Sequence, residues 1–346
     1  MEETNDLNLK YINTECSPSY LFNNISTSDL NIYYIHNSEI QPRIIVVNKE
    51  IFNKDSTKSN LLNNVGKLNG NENLQISSIH FCTINSNDVI AVGLYGGFKV
   101  WNSDGNRLLY HLTDNSSLEN AFIITSITDR LNFNYNNSSS SYNNFIVFGD
   151  SFGNIYQCSG IDCSWKNTKI YNNKDSLSVT CIASGDNNII VSGFENGDLI
   201  VLDCTELNLK ENELQSKHAS LIKFFNNEFE LPSISISFFD FNKYFASGLV
   251  NGEIRIYCVK SLRLISSIQS HSRIINSLST YQNYIASCSD DCYINIFKFT
   301  NEKLNLTKSI KVPDRMPVGV KLFKDNNSIS LVSCCYDSPN LLYYKL

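Results

Sequence analysis

Short apolar runs, each broken by a tight polar turn, recur along this chain. The segments 89 VIAVGLYGGFKVWN, 145 FIVFGDSFGNIYQC, 189 IIVSGFENGDLIVLD, 244 YFASGLVNGEIRIYC, 284 YIASCSDDCYINIF and 329 ISLVSCCYDSPNLLYYK all follow the pattern. β-Branched and aromatic residues flanking a turn of Gly, Asn, Asp or Ser predict a β-hairpin. A small residue stands near the end of each first run: Gly93, Gly149, Gly193, Gly248, Cys288 and Cys334. Between hairpins lie two more strand-like runs, such as 263 RLISSI and 274 IINSL, which makes four strands per unit. Upstream, 31 NIYYIHN and 43 RIIVVNK supply a weaker seventh hairpin.

The small residues recur at intervals of 40 to 56 positions, the period of a four-stranded propeller blade with variable loops. About seven units of roughly 49 residues fill the chain, so the expected fold is all-β: one seven-bladed β-propeller spanning residues 1–346. The last unit ends after three strands, leaving an unpaired edge that would invite aggregation. The run from Leu9 to Thr14 is the expected fourth strand, closing the ring. Polar inserts at 53–75, 129–144 and 203–219 interrupt the pattern. The middle one is Asn/Ser-rich and is expected to be a mobile loop, because it cannot bury enough surface to offset its ordering entropy.

Composition changes this picture little. A hydrophobic fraction of 42%, with 20 Phe and 18 Tyr, supplies a large core. The net charge of -6 argues against a nucleic-acid partner, since such binding rests on clustered Lys and Arg. No basic start with an apolar core opens the chain, and no apolar run approaches the ~18 residues of a spanning helix. A cytoplasmic protein without membrane insertion is therefore expected. Eleven cysteines, an odd number without regular spacing, fit thiols used as small buried groups in a reducing compartment.

The sixth unit carries a family likeness. His271, then 274 IINSL, then Ser287, Asp291 and 293 YINIF closely resemble the WD-repeat (WD40) pattern. The resemblance implies a buried hydrogen-bond set in which His271, Ser287 and Asp291 take part. Phe297 occupies the place of the family's Trp and lacks its N–H donor. Trp101 holds that place in the second unit without the turn Asp, while Ser192 with Asn196 and Ser247 with Asn251 keep partial sets. End to end, 76 ISSIHFC with 96 GGFKVWNSDGNRLLYH, 247 SGLVNGEIRIYCVKSLRLISSIQSHSRIINSL and the terminal Tyr336-Asp337 turn look like the WD repeat-containing protein 54 family. That resemblance implies a non-enzymatic adaptor in the cytoplasm.

Cys288 and Cys292 bracket Asp290 and Asp291 and raise the question of a metal or redox site. Four ligands in tetrahedral reach are needed for zinc, and no CxxC pair or His cluster stands near. The repeat instead makes both cysteines substitutes for glycine. No nucleophile elbow, HExxH or phosphate loop occurs; no catalytic residue, cofactor or metal ligand is assigned. The expected function is a scaffold that binds a protein or peptide on one rim. The alternative is a propeller hydrolase using channel carboxylates or a metal. On that rim the turns would present Tyr95, Phe152, Phe194, Glu195, Asp290 and Tyr336, and the blade connections Phe229, Arg273, Arg315 and Met316. Aromatics, Met and Arg are the types enriched at binding hot spots.

Overall fold

The computed structural model describes residues 9–14, 16–37, 42–53, 66–69, 75–113, 122–130, 144–161, 164–185, 188–208, 219–225, 231–325 and 328–346. Its strands form seven four-stranded antiparallel sheets, arranged as the blades of a propeller. The inner strands, in chain order, are Ser26–Thr27, Ile76–Ile84, Ile124–Arg130, Val179–Ser184, Ser233–Phe239, Ile275–Tyr281 and Pro317–Asp325. They define blades 1 to 7. Blade 7 is completed by Leu9–Asn13, which pairs with Asn340–Lys345 in a register that sets Leu9 opposite Tyr344 and Asn13 opposite Asn340. Among the described residues the helical structure is limited to short 3-10 turns at Lys49–Asn53 and Thr205–Asn208.

Seven apolar clusters fill the spaces within and between blades. Burial on both faces explains why the second and third strands read as nearly continuous hydrophobic runs. Outer strands alternate: Lys303–Lys311 buries only Leu304 and Ile310. Inner strands follow a different rule. Their serines accept main-chain N–H groups from the neighbouring blade: Ser126 Oγ from Ile182 (3.0 Å), Ser235 Oγ from Leu278 (3.0 Å), Ser277 Oγ from Val320 (3.3 Å) and Ser279 Oγ from Leu322 (3.0 Å). Ser26 Oγ does the same for Phe81 N (2.9 Å). Inner strands have a free edge toward the channel, and these hydroxyls satisfy part of it.

The glycine equivalence of the cysteines appears in the register. Gly93, Gly149, Gly193 and Gly248 pair with Phe98, Ile155, Leu199 and Ile254, and Cys288 and Cys334 pair with Ile294 and Leu341 at the same place. An added Cβ at Gly93, Gly149 or Gly248 would strike Ile124, Val179 or Ile275 at under 3 Å. Cys292 takes φ +67 where Gly197 and Gly252 take +89 and +86.

The inserts differ from expectation at their ends. Gly66–Asn69, inside the 53–75 insert, is the outer strand of blade 1 and pairs with Arg43–Val46. Asp129 and Arg130 end the inner strand of blade 3, and Asp203 ends a strand of blade 4. The core of the Asn/Ser-rich insert, 131–143, lies outside the described residues.

Candidate functional site at the channel mouth

Turns between second and third strands, together with the connections between blades, share one face, called here the upper face. The two sets of loops are tied together blade by blade. A turn N–H donates to a carbonyl just before the same blade's inner strand: Tyr95 to Gln75 (3.1 Å), Ser151 to Ile123 (2.9 Å), Glu195 to Ser178 (3.0 Å), Val250 to Pro232 (3.1 Å), Asp290 to Ile274 (3.4 Å) and Tyr336 to Met316 (2.8 Å). The rim is thus a hydrogen-bonded annulus.

Tyr95, Phe152 and Tyr336 are exposed on this rim at 40%, 43% and 41%. Glu195, Arg273 and Arg315 are exposed as well, and Met316 is half-buried. Arg315 donates to Ser338 Oγ in the blade 7 turn. Phe194 departs from expectation: it is 1% exposed and packs in the core between blades 3 and 4. It pairs with Val179 as the last residue of its strand, so the turn begins one residue later, at Glu195. Phe229 lies outside the described residues. Asp290, in the blade 6 turn, is held by Tyr20 Oη at 2.8 Å and Asn276 Nδ2 at 2.7 Å.

His271, Ser287 and Asp291 meet in blade 6. His271 Nδ1 lies 3.0 Å from Asp291 Oδ2, and His271 Nε2 lies 2.8 Å from Ser287 Oγ. Asp291 also accepts from Ser272 N (3.0 Å) and Tyr293 N (3.1 Å), fixing the turn. Burial pushes the His271 pKa down, and it outweighs the opposing pull of Asp291. Phe297 fills the Trp place as a buried apolar side chain. Blade 3 caps its turn differently: buried Asp150 accepts from Phe152 N, Asn154 N, Asn154 Nδ2 and Tyr156 Oη.

The largest addition to the sequence reading is the segment that joins the outer strand of blade 7 to blade 1. Thr14 is pinned to Pro339 O through both N (2.7 Å) and Oγ1 (2.6 Å), and Ser19 N donates to Ile35 O (3.0 Å). The chain then crosses the channel mouth. Asn23 N donates to Asn276 O (3.0 Å), Asn23 Nδ2 to Ile234 O (3.1 Å), and Ser235 Oγ to Asn23 Oδ1 (2.7 Å). A blade 1 residue is thereby fastened to blades 5 and 6. Tyr20 and Phe22, each 41% exposed, stand on this strap. Tyr20 packs edge-on against Phe22 (centroids 6.1 Å) and Tyr336 (5.6 Å). Burial, then the Asp290 hydrogen bond, pushes the Tyr20 hydroxyl up to about 12. Neither Tyr20 nor Phe22 belongs to a repeated pattern, so periodicity could not flag them.

Beside the strap the mouth stays open as a cavity of ≈ 330 Å³. Its walls come from the inner-strand starts of blades 2 to 5, from Tyr95, and from strap residues 20–23. Deeper in the channel, His80 Nε2 of blade 2 meets Asp129 Oδ1 of blade 3 at 2.7 Å. Burial raises the Asp129 pKa, but the His80 hydrogen bond and charge, with help from Lys321, more than offset it and hold it below its ordinary value. Burial pushes the Lys321 ammonium down.

All ten described cysteines are free thiols. Burial drives the Cys288 and Cys334 pKa values well up. Among the described residues, no group of three or more His, Cys, Asp or Glu is placed to hold a metal ion. Among them, too, no helix is long and apolar enough to cross a membrane.

The fold is a seven-bladed β-propeller. Residues 262–298 match the WD40 family model, described as WD domain, G-beta repeat. One chain of the "Crystal Structure of Mitotic Checkpoint Complex" is similar at a TM-score of 0.70 and 14% identity, over 97% of this chain and 91% of that one. Raptor from Chaetomium thermophilum is similar at a TM-score of 0.63 and 15% identity, over 97% of this chain but 29% of that one. At such identities the likeness is one of fold. No curated protein sequence matches the chain.

Proposed function

We propose that this propeller is a non-catalytic adaptor that binds a protein or peptide on its upper face. The observation that carries the reading is the exposed aromatic cluster of Tyr20, Phe22 and Tyr336 beside a cavity bordered by Tyr95. Exposed aromatics are the usual anchors of interfaces, and here the strap and the annulus of turn hydrogen bonds hold them rigid. Preorganisation of this kind lowers the entropic cost of association. Arg273, Arg315 and Glu195 around them would set orientation and partner choice. A protein solved within a mitotic checkpoint complex shares the fold, which agrees with a role in assemblies. The sequence likeness to the WD repeat-containing protein 54 family supports the same reading and a cytoplasmic site of action.

The channel pair His80–Asp129 is the observation that favours the alternative of a hydrolase. Against it, the pair ties the inner strands of blades 2 and 3 together, and among the described residues no third His, Cys, Asp or Glu joins it to hold a metal ion.

The adaptor reading is tested by replacing Tyr20, Phe22 and Tyr336 together with alanine, verifying the fold by circular dichroism, and quantifying proteins co-purified from the native cell. At least one partner should drop more than about 30-fold, the effect of losing one hot-spot residue worth about 2 kcal/mol. An unchanged set of partners would overturn the rim assignment.

A further inference from the structure

The chemistry of the cavity walls narrows what can enter, given that the upper face is the binding face. Sixteen residues line the space: the strap's Tyr20, Leu21, Phe22 and Asn23 on one side, and Ser, Thr, Ile, Val and Tyr95 on the other. None is charged. A charged group inserted here would lose water without gaining a counter-ion, which disfavours it.

The hydroxyls are also directional. Ser77 Oγ donates to Ile124 O at 2.6 Å and Ser78 Oγ to the same carbonyl at 3.1 Å. Thr180 Oγ1 donates to Ser233 O at 2.6 Å, and Thr125 Oγ1 to Gly149 O at 3.3 Å. Four hydroxyl protons are therefore committed to the inner-strand frame. What these groups retain is lone pairs, so this part of the wall accepts hydrogen bonds and does not offer them. A ligand presenting only acceptors, such as a carboxylate or phosphate, meets fewer donors than acceptors in the cavity: Ser126, whose Oγ accepts from Ile182 N, keeps its proton, while the four hydroxyls above do not. A ligand presenting neutral N–H groups does find partners, and blocking such a donor leaves a wall acceptor unpaired.

Backbone chemistry completes the argument. In an α-helix every N–H beyond the first turn is already bonded within the helix, whereas an extended segment presents its N–H groups to the acceptors of the wall.

We infer that the cavity between the strap and the inner-strand starts of blades 2 to 5 receives an extended peptide segment of a partner. It takes one uncharged aromatic or aliphatic side chain and accepts hydrogen bonds from the adjoining backbone N–H groups. Discrimination against charged anchors follows from the uncharged described walls, and preference for N–H donors over acceptor-only ligands from the excess of acceptors over free protons.

The inference rests on the upper-face reading, and the experiment separates the two. Random heptapeptides displayed on phage are selected on the full chain, and enriched sequences are synthesised with a fluorophore for anisotropy titration. Enriched peptides should share an uncharged aromatic or branched aliphatic residue. Replacing it with Lys or Glu should weaken binding at least 100-fold, and N-methylation of the amide at that residue at least 10-fold. Ser178→Trp, which fills the cavity from the side of blade 4, should abolish binding, while Ser178→Ala should not. Absence of any enriched peptide, tolerance of a charged anchor, or indifference to N-methylation would overturn the inference. The N-methylation arm uses unaltered protein and so does not depend on how Ser178→Trp folds. Peptides lost with the Tyr20, Phe22 and Tyr336 alanine variant but retained by Ser178→Trp would leave the upper-face reading standing and the cavity assignment refuted. Peptides insensitive to both would refute both.

Discussion

His271 shows how much a single position carries. Its ring joins the blade connection to Ser287 on the second strand and to Asp291 in the turn, and it is 3% exposed. Burial disfavours the imidazolium, so the folded pKa lies below the ordinary value of about 6.5. As pH falls below that value, the unfolded chain binds a proton that the native ring refuses. Stability is then lost progressively down through the folded pKa, whereas at higher pH the ring is neutral in both states and the dependence vanishes. Urea midpoints at pH 7.5, 6.0 and 5.0 should fall more steeply for the wild type than for His271→Gln, which cannot titrate. Parallel pH profiles would contradict this. At neutral pH the same substitution should cost about 1–3 kcal/mol, because Asp291 and Ser287 lose a buried partner. This set was legible because it repeats a known spacing. Phe194 was misjudged because spacing cannot tell the last strand residue from the first turn residue, and one step moves a side chain from core to surface. The bond of Asp290 to Tyr20 could not be read from the repeat, because the two lie 270 positions apart.

At the scale of elements, the strand Leu9–Asn13 does two jobs. It supplies the fourth strand of blade 7 and delivers the chain to the strap. Its pairing was foreseeable, since a three-stranded terminal unit leaves hydrogen-bonding groups unmet. The two-residue inner strand Ser26–Thr27 was not, because a side chain replaces the ladder there. Ile35 N donates to Asn24 Oδ1 at 2.7 Å, and Asn24 Nδ2 returns the bond to Ile35 O at 3.0 Å. Hydrophobic periodicity has no signal for a strand imitated by an amide. Ile12 packs against the cluster shared by blades 7 and 1, so Ile12→Asp should destabilise the protein by about 1–3 kcal/mol. It should also raise aggregation through the freed edge of Asn340–Lys345. Equilibrium unfolding and light scattering give the two readouts, and an unchanged midpoint would show that the strand adds nothing to stability.

For the molecule as a whole, the ring and its count of seven were readable from one period, because every blade must bury the same kind of faces against its neighbours. The circumferential serine bonds were not readable. A serine on an inner strand looks like any polar residue until the next blade's N–H is seen beside it, as Ser235 is seen beside Leu278. The cavity was hidden for the same reason: its walls are drawn from four blades and a strap that no repeat describes.

The pairing of Leu9 with Tyr344 sets the first and last strands abreast, at the end of blade 7 away from Asn13 and the strap that follows it. The sheet pairings of the ring therefore do not depend on which strand connection is covalently open. Joining Leu346 to Leu9 by a short linker and opening the chain instead within residues 131–143 would move the clasp from blade 7 to blade 3, with every strand keeping its neighbours. The strap, pinned at Thr14 and Asn23 in either arrangement, would keep its crossing.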